Sequence, residues 1–233
     1  MNKIALVVHG GAGPDSDYIK QHQKEYREGI AAAIEAGYKI LEEGGTAVEA
    51  VEAAVKSMED NVHFNAGKGS AINAKAEVEM CAAIMQGQDK RSGAVAIVKN
   101  ARNPVSLARA VMDKTKHIYL GGAGALDFAK QIQAPLEPAS YFITQHQYSL
   151  YEEKRNELKM EDDGVALEQV NEMSHGTVGA VALDNGGNVA AATSTGGTEY
   201  CKEGRIADSS MIGIGAYADN NTCAVSTTGD GEY

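Results

Sequence analysis

His175-Gly176-Thr177-Val178-Gly179-Ala180-Val181-Ala182-Leu183 is followed by Asp184 to Gly187 and then by Asn188 to Ser194. Two runs of small and β-branched residues flank an Asp-Asn-Gly-Gly turn, which is the pattern of a β-hairpin. Threonine is ordinary in such a strand, because its branched side chain suits a pleated surface. A Gly-Thr pair that opens a strand directly after a polar segment invites a second reading. A threonine hydroxyl is a weak nucleophile until a base stands beside it. If the peptide before Thr177 were cut, the freed α-amine, with an ordinary pKa of about 7.7–8.0, would lie next to the residue's own Oγ. Nucleophile and base would then share one residue. Gly176 gives the backbone the freedom that attack on its carbonyl requires.

Before the hairpin, residues 139–174 carry little apolar periodicity, and acids outnumber bases between Glu152 and Glu172. This segment reads as a mobile, partly helical connection, its acids simply solvated. Further upstream, Ile4–Val8 reads as a buried strand ending at His9-Gly10-Gly11. Helical periodicity over Tyr26–Glu43 stops at Gly44-Gly45. Thr46 with Glu49 forms a capping-box pattern for a helix through Met58, followed by an irregular stretch from Glu59 to Gly69. Glu77–Met85 and Gly93–Val98 read as strands joined by a turn, Pro104 begins a helix, and Ala123–Ile132 forms another. Beyond the hairpin a strand is expected over Thr222–Thr227. Mixed α and β layers around sheets follow from this order, though the number of sheets does not.

The chain has 233 residues, with 21 Lys+Arg against 32 Asp+Glu, for a net charge of −11. Without a basic cluster to offset that balance, a nucleic-acid backbone is excluded as partner. The apolar run at Ile4–Val8 is too short for a signal core or a membrane span, so no membrane is expected and a cytoplasmic location is. Cys81, Cys201 and Cys223 stand far apart, with neither disulfide nor zinc spacing. The 26 glycines, about 11% against an average of about 7%, gather at strand ends. Gly10 to Gly13 lack the GxGxxG and GK[ST] spacings of a dinucleotide or phosphate loop. His9 reads either as a strand-end histidine bonded to its neighbours or as part of a site.

Taken together, His9-Gly10-Gly11-Ala12-Gly13, Phe64-Asn65-Ala66-Gly67, Gly93-Ala94-Val95-Ala96, Asn103-Pro104, the run from His175 to Ala182, Ala191-Ala192-Thr193-Ser194-Thr195-Gly196-Gly197, Gly204-Arg205, Tyr217-Ala218-Asp219-Asn220 and Ala224-Val225-Ser226-Thr227-Thr228-Gly229 carry a resemblance. In this order they resemble the plant-type asparaginase/isoaspartyl aminopeptidase family of N-terminal-nucleophile hydrolases, over nearly the whole chain. The resemblance implies an α+β fold, a four-layer αββα sandwich, made as one domain and self-cleaved between Gly176 and Thr177. Residues 1–176 would form the α portion and 177–233 the β portion. Thr177 would be the nucleophile, Asn65 would lie near it, and Thr195 would hydrogen-bond its hydroxyl or amine. Thr228 and Gly229 would form the oxyanion hole, with Gly229 and Gly231 also lining the substrate site. Arg205 would take the substrate α-carboxylate and Asp208 its α-ammonium, which agrees with the planar fit of guanidinium to carboxylate. A structural sodium ion would sit on the backbone carbonyls of Met58, Glu59, Asn61, Phe64, Ala66 and Lys68. No redox or organic cofactor is implied.

The implied reaction is hydrolysis of asparagine to aspartate and ammonia, or release of the β-linked aspartate from isoaspartyl dipeptides. Family members usually pair as homodimers of cleaved units. The sequence departs from the family pattern in three ways. It ends at Tyr233, so the sandwich is expected to be C-terminally truncated. Cys81 and Gln86 replace aspartates, and Ala207 and Ser210 replace a Gly and a Pro. Two further readings stay open: a glycosylasparaginase, which would want a signal segment, and a catalytically silent, truncated paralogue.

Overall fold

The computed structural model describes residues 3–13, 16–161 and 176–229. Its centre is a six-stranded mixed sheet of β1 (Ala5–His9), β2 (Met80–Gln86), β3 (Ser92–Val98), β4 (Tyr119–Gly121), β5 (Thr177–Leu183) and β6 (Val189–Thr195), in the order β1-β5-β6-β2-β3-β4. Only β3 and β4 run parallel. The 175–194 stretch does form the expected hairpin, with Thr177 opposite Thr195 and Leu183 opposite Val189.

Alternation along these strands sorts the residues onto two faces. Ala82, Ile84, Val95, Val178, Ala180, Ala182, Ala190 and Ala192 pack against α2 (Gln23–Glu42), α3 (Ala47–Glu59) and α4 (Pro104–Lys114). Ala83, Met85, Ala94 and Ala191 face the other way, onto a two-stranded sheet of β7 (Ala216–Ala218) and β8 (Ala224–Ser226). The described residues therefore build helices, sheet and second sheet in layers. The small side chains let the layers close tightly. At Gly37 an added Cβ would lie 2.7 Å from the Ala50 carbonyl, so α2 and α3 touch backbone to backbone.

Local signals explain the helices. The Thr46 hydroxyl accepts from Glu49 N while a Glu49 carboxylate oxygen accepts from Thr46 N, at 3.3 and 2.8 Å, closing the capping box of α3. Asp184, in the hairpin turn, reaches the same helix start: its Oδ2 accepts from Ala47 N at 3.1 Å. Pro104 opens α4 at the position where a missing N–H costs nothing.

The reading of β1 as a buried strand needs correction. Leu6 and Val8 pack on the core, but Val7 is 64% exposed. β1 pairs only with β5, so it is an edge strand, and the packing of β7 and β8 falls on β2, β5 and β6. The strand expected from Glu77 begins at Met80, because Asn73 Oδ1 holds the Lys75 and Glu77 amides in a turn. Residues 139–174 begin as two helices, α6 (Ala139–Phe142) and α7 (Gln145–Glu161). α7 lacks an apolar stripe and is held through buried Tyr151 and Gln147 and close-spaced pairs such as Arg155–Glu152 at 2.7 Å. The rest of that segment, with His175, lies outside the described residues, as does Gly231. The short elements α1 (Asp17–Gln21), β4 and β7, and the one-turn 3-10 helix at Asp208–Ser210, carry too few residues for periodicity to mark them. α5 (Gly122–Gln131) covers the expected Ala123–Ile132.

Candidate active site

Thr177 is the first residue of β5, and its side chain shares a sheet face with Thr193 and Thr195 of β6, the face turned toward β7 and β8. Thr177 is buried. The peptide before it is held from both sides. Thr195 Oγ1 donates to the Gly176 carbonyl oxygen at 3.0 Å, and Thr177 N donates to Thr228 Oγ1 at 3.3 Å. The same Thr228 oxygen accepts from Ala12 N at 3.1 Å, and Thr195 Oγ1 accepts from Gly197 N at 3.1 Å. The partner expected for Thr195 was the Thr177 hydroxyl or amine; in the uncut chain the Thr177 nitrogen is an amide, and the exposed lone pair belongs to the Gly176 carbonyl.

Backbone crowds this peptide. A side chain at Gly11, whose φ is +119°, would lie 3.0 Å from Gly176 Cα. One at Gly176 would lie 3.0 Å from Asn65 Cβ. Asn65 ties the walls together: its Nδ2 donates to Gly197 O at 2.7 Å, its Oδ1 accepts from Ala71 N at 2.8 Å, and its own carbonyl accepts from Gly196 N at 2.9 Å. Gly229 adopts φ +133°, a backbone open to glycine and strained for other residues.

Arg205 Nη1 lies 3.8 Å from where a Gly197 side chain would begin, which brings the guanidinium beside the Thr195–Gly197 corner. Asp208, half-buried, opens the 3-10 helix and accepts from Ser209 N at 2.8 Å. That helix is pinned beneath the sheet by Thr193 Oγ1, which donates to Ser209 O at 2.5 Å. Cys81, opposite Thr195 in the ladder, is buried below Ala207 and bonded to Ser210, and burial pushes its thiol pKa up. Ser210 Oγ in turn donates to Ala207 O at 2.9 Å and shares a 2.5 Å hydrogen bond with Tyr119 OH. Gln86 is distant from all of this, at the β2–β3 turn, where it donates to Asp89 at 2.6 Å.

Sequence reasoning left His9 open between a strand-end role and a site role, and it did not single out the Glu59 carboxylate. His9 Nε2 lies 2.7 Å from Ser226 Oγ, and no side chain would fit at Gly179 between them. Burial lowers the His9 pKa, opposed by a hydrogen bond to the Thr177 backbone. Glu59 is fully buried behind the sheet, its Oε1 accepting from Ser194 Oγ at 2.6 Å and from Val105 N at 2.9 Å. Burial pushes that carboxyl up to about 8. Glu199, two residues past Gly196-Gly197, was missed too, because its burial leaves no signal in the sequence.

The loop after α3 folds its carbonyls inward. A side chain at Gly67 would collide with the Glu59 carbonyl, and one at Gly69 would stand 2.7 Å from both the Val62 and Phe64 carbonyl oxygens. Glu59 O and Phe64 O each accept one backbone hydrogen bond, from Lys68 N and Ala66 N. A carbonyl oxygen has a second lone pair, so both keep capacity to accept a further hydrogen bond or a cation. Among the described residues, no helix is long and apolar enough to cross a membrane.

A layered α/β chain with a threonine heading an interior strand, its preceding peptide gripped by two further threonine hydroxyls, defines the class of protein. The chain matches the family described as Asparaginase over residues 2–233, and it belongs to that family. It is 47% identical to the isoaspartyl peptidase/L-asparaginase of Homo sapiens over 232 residues, spanning 100% of this chain and 72% of that protein. The protein of the same name from Danio rerio is 47% identical over 228 residues, 97% of this chain and 70% of its own. The isoaspartyl peptidase of Salmonella typhimurium is 40% identical over 237 residues, 100% of this chain and 75% of its own. These relatives are hydrolases by name.

Proposed function

We propose that this protein is an autoprocessing threonine amidohydrolase that converts L-asparagine to L-aspartate and ammonia and cleaves β-aspartyl dipeptides. Membership of the asparaginase family supports the reaction. The observation that carries it to residues is the Gly176–Thr177 peptide, with one threonine hydroxyl on its carbonyl and another on its amide.

In the first stage Thr177 Oγ attacks the Gly176 carbonyl carbon, and the Thr195 hydroxyl stabilises the charge gathering on that oxygen. Acyl transfer from nitrogen to oxygen, with the hydroxyl proton passing to the nitrogen, frees the Thr177 amine and leaves an ester, which water hydrolyses to the Gly176 carboxylate and the Thr177 hydroxyl. In the second stage that amine takes the proton from Thr177 Oγ as it attacks the substrate β-carbonyl. Thr228 and Gly229 hold the oxyanion. The amine hands its proton to the departing ammonia or amino acid, and water then releases aspartate from the acyl-enzyme. Arg205 binds the α-carboxylate and Asp208 the α-ammonium, with Gly231 counted among the substrate-site residues by the family pattern. Asn65 keeps the corner at Gly196-Gly197 in place. This chemistry calls on no redox or organic cofactor. A sodium ion on the carbonyls of Met58, Glu59, Asn61, Phe64, Ala66 and Lys68 would stiffen the loop that carries Asn65.

The same reading takes the observed layers as part of an αββα sandwich, with a second helical layer over the outer face of β7 and β8, where Val225 is 41% exposed. It also takes the cleaved unit to pair as a homodimer acting in the cytoplasm on small amino-acid or dipeptide substrates. The test is the denatured intact mass of the purified protein alongside ammonia release from asparagine. Cleavage before Thr177 with ammonia release supports the reading, and Thr177→Ala must abolish both. Full activity in Thr177→Ala would overturn it.

A further inference from the structure

A cleft of about 340 Å³ opens beside Gly176. Gly11, Asn65 and Gly176 form its inner edge, and neither Arg205 nor Asp208 lines it. Its walls include Ile30, Phe64 and Leu150, which are apolar. Three of its polar side chains keep an atom without a partner. Glu199 is 8% exposed and Gln147 7% exposed, yet among the described residues Glu199 Oε2 and Gln147 Oε1 have no hydrogen-bond partner, and neither does His63 Nδ1.

A buried polar atom without a partner costs roughly 1–3 kcal/mol, so three around one cleft indicate groups kept ready for a ligand. A carboxylate oxygen and an amide oxygen are acceptors, and a neutral imidazole nitrogen can be one. Acceptors set among apolar walls fit a cation on an aliphatic stem. Among the described residues lining the cleft there is no Lys or Arg to pre-empt the place. Burial holds the Glu199 carboxyl up at about 7, and an arriving ammonium would favour its ionised form.

An amide substrate has an acyl half and a leaving half on opposite sides of the reacting carbonyl. With the aspartyl half drawn to Arg205 and Asp208, the leaving half points to the cleft. We infer that this cleft is a leaving-group subsite that selects β-aspartyl dipeptides whose second residue carries a cationic, lysine-like side chain, with Glu199 and Gln147 as its acceptors. The inference rests on the amidohydrolase reading above and deepens it.

β-Aspartyl-lysine and β-aspartyl-norleucine differ by the terminal ammonium alone, so the ratio of their kcat/KM values reads the subsite. A preference of tenfold or more for the lysyl substrate is expected, falling to within threefold of unity in Glu199→Gln. Gln147→Leu should lower the ratio independently, which covers a failure of the first variant to fold. A wild-type ratio near unity, or one that both variants leave intact, would overturn the subsite. Absence of turnover on asparagine and both dipeptides would instead overturn the amidohydrolase reading. Calorimetric titration with free lysine and norleucine then decides the cleft alone: lysine-selective binding lost in Glu199→Gln upholds it, and equal or absent binding overturns it.

Discussion

Thr195 Oγ1 donates to the Gly176 carbonyl oxygen across the first pair of the β5–β6 ladder, at 3.0 Å. The strand register thereby aims this hydroxyl at the atom that gains charge if Thr177 attacks its own preceding peptide. Thr195→Val keeps the shape and removes the donor. Loss of one such donor typically costs about 10²–10³ in rate, so cleavage should slow by that order while the melting temperature changes little. Time-resolved intact mass is the measurement, and an unchanged rate would remove Thr195 from the first stage.

Asp184 couples the hairpin turn to a distant helix. It is 4% exposed, and its two oxygens accept from Ala47 N, Gly186 N and Asn188 N at 3.1, 2.8 and 3.0 Å. Asp184→Ala leaves three amides without that partner, and a loss of about 2–4 kcal/mol is expected. Urea unfolding of the uncleavable Thr177→Ala background gives the number under two-state conditions.

Glu59 makes stability depend on pH in a definite direction. Its carboxyl is raised from an ordinary 4.5 to about 8 in the folded protein. Between those values the unfolded chain has lost the proton and the folded chain keeps it. The contribution is therefore whole below about pH 4.5 and drains away as pH rises through about 8. Glu59→Gln keeps an oxygen for Ser194 and Val105 and has no proton to lose. Unfolding measured from pH 5 to 8 should fall more steeply for the wild type than for the variant; parallel curves would mean Glu59 titrates normally.

The carbonyl loop predicts a cation effect. A ligand that binds only the folded chain adds about 2.7 kcal/mol at a hundred times its Kd. Replacing sodium with choline at constant ionic strength should lower the melting temperature by several degrees. Indifference to sodium would exclude the ion.

The hairpin, the capping box of α3 and the start of α4 were legible because each is a local device with its own residues. The exposure of Val7 was not, since a run of apolar residues does not say whether a strand lies inside the sheet or on its edge. α7 was legible only as a partly helical connection, because it is held by Tyr151, Gln147 and paired charges and not by an apolar stripe. At the site, motif order located Thr177, Thr195, Asn65 and Thr228. It did not give the partners, because the Thr195–Gly176 bond depends on register and the Thr228–Thr177 bond on how a loop far along the chain folds back. Glu199 and Gln147 stayed hidden because burial of a polar side chain leaves no trace in sequence.

Strand order has a consequence for the protein's history. β5 and β6 are bracketed by β1 on one side and β2 on the other. A cut at Gly176 would leave two polymers woven through one another, each unable to leave without tearing the middle of the sheet. The precursor folds as a single chain, in a first-order process indifferent to dilution. The cut pair, once unfolded, must find each other again, so its recovery becomes second-order and fades as concentration falls. The mature assembly would then persist by memory of how it was made, and heat or denaturant would erase that memory in one direction only.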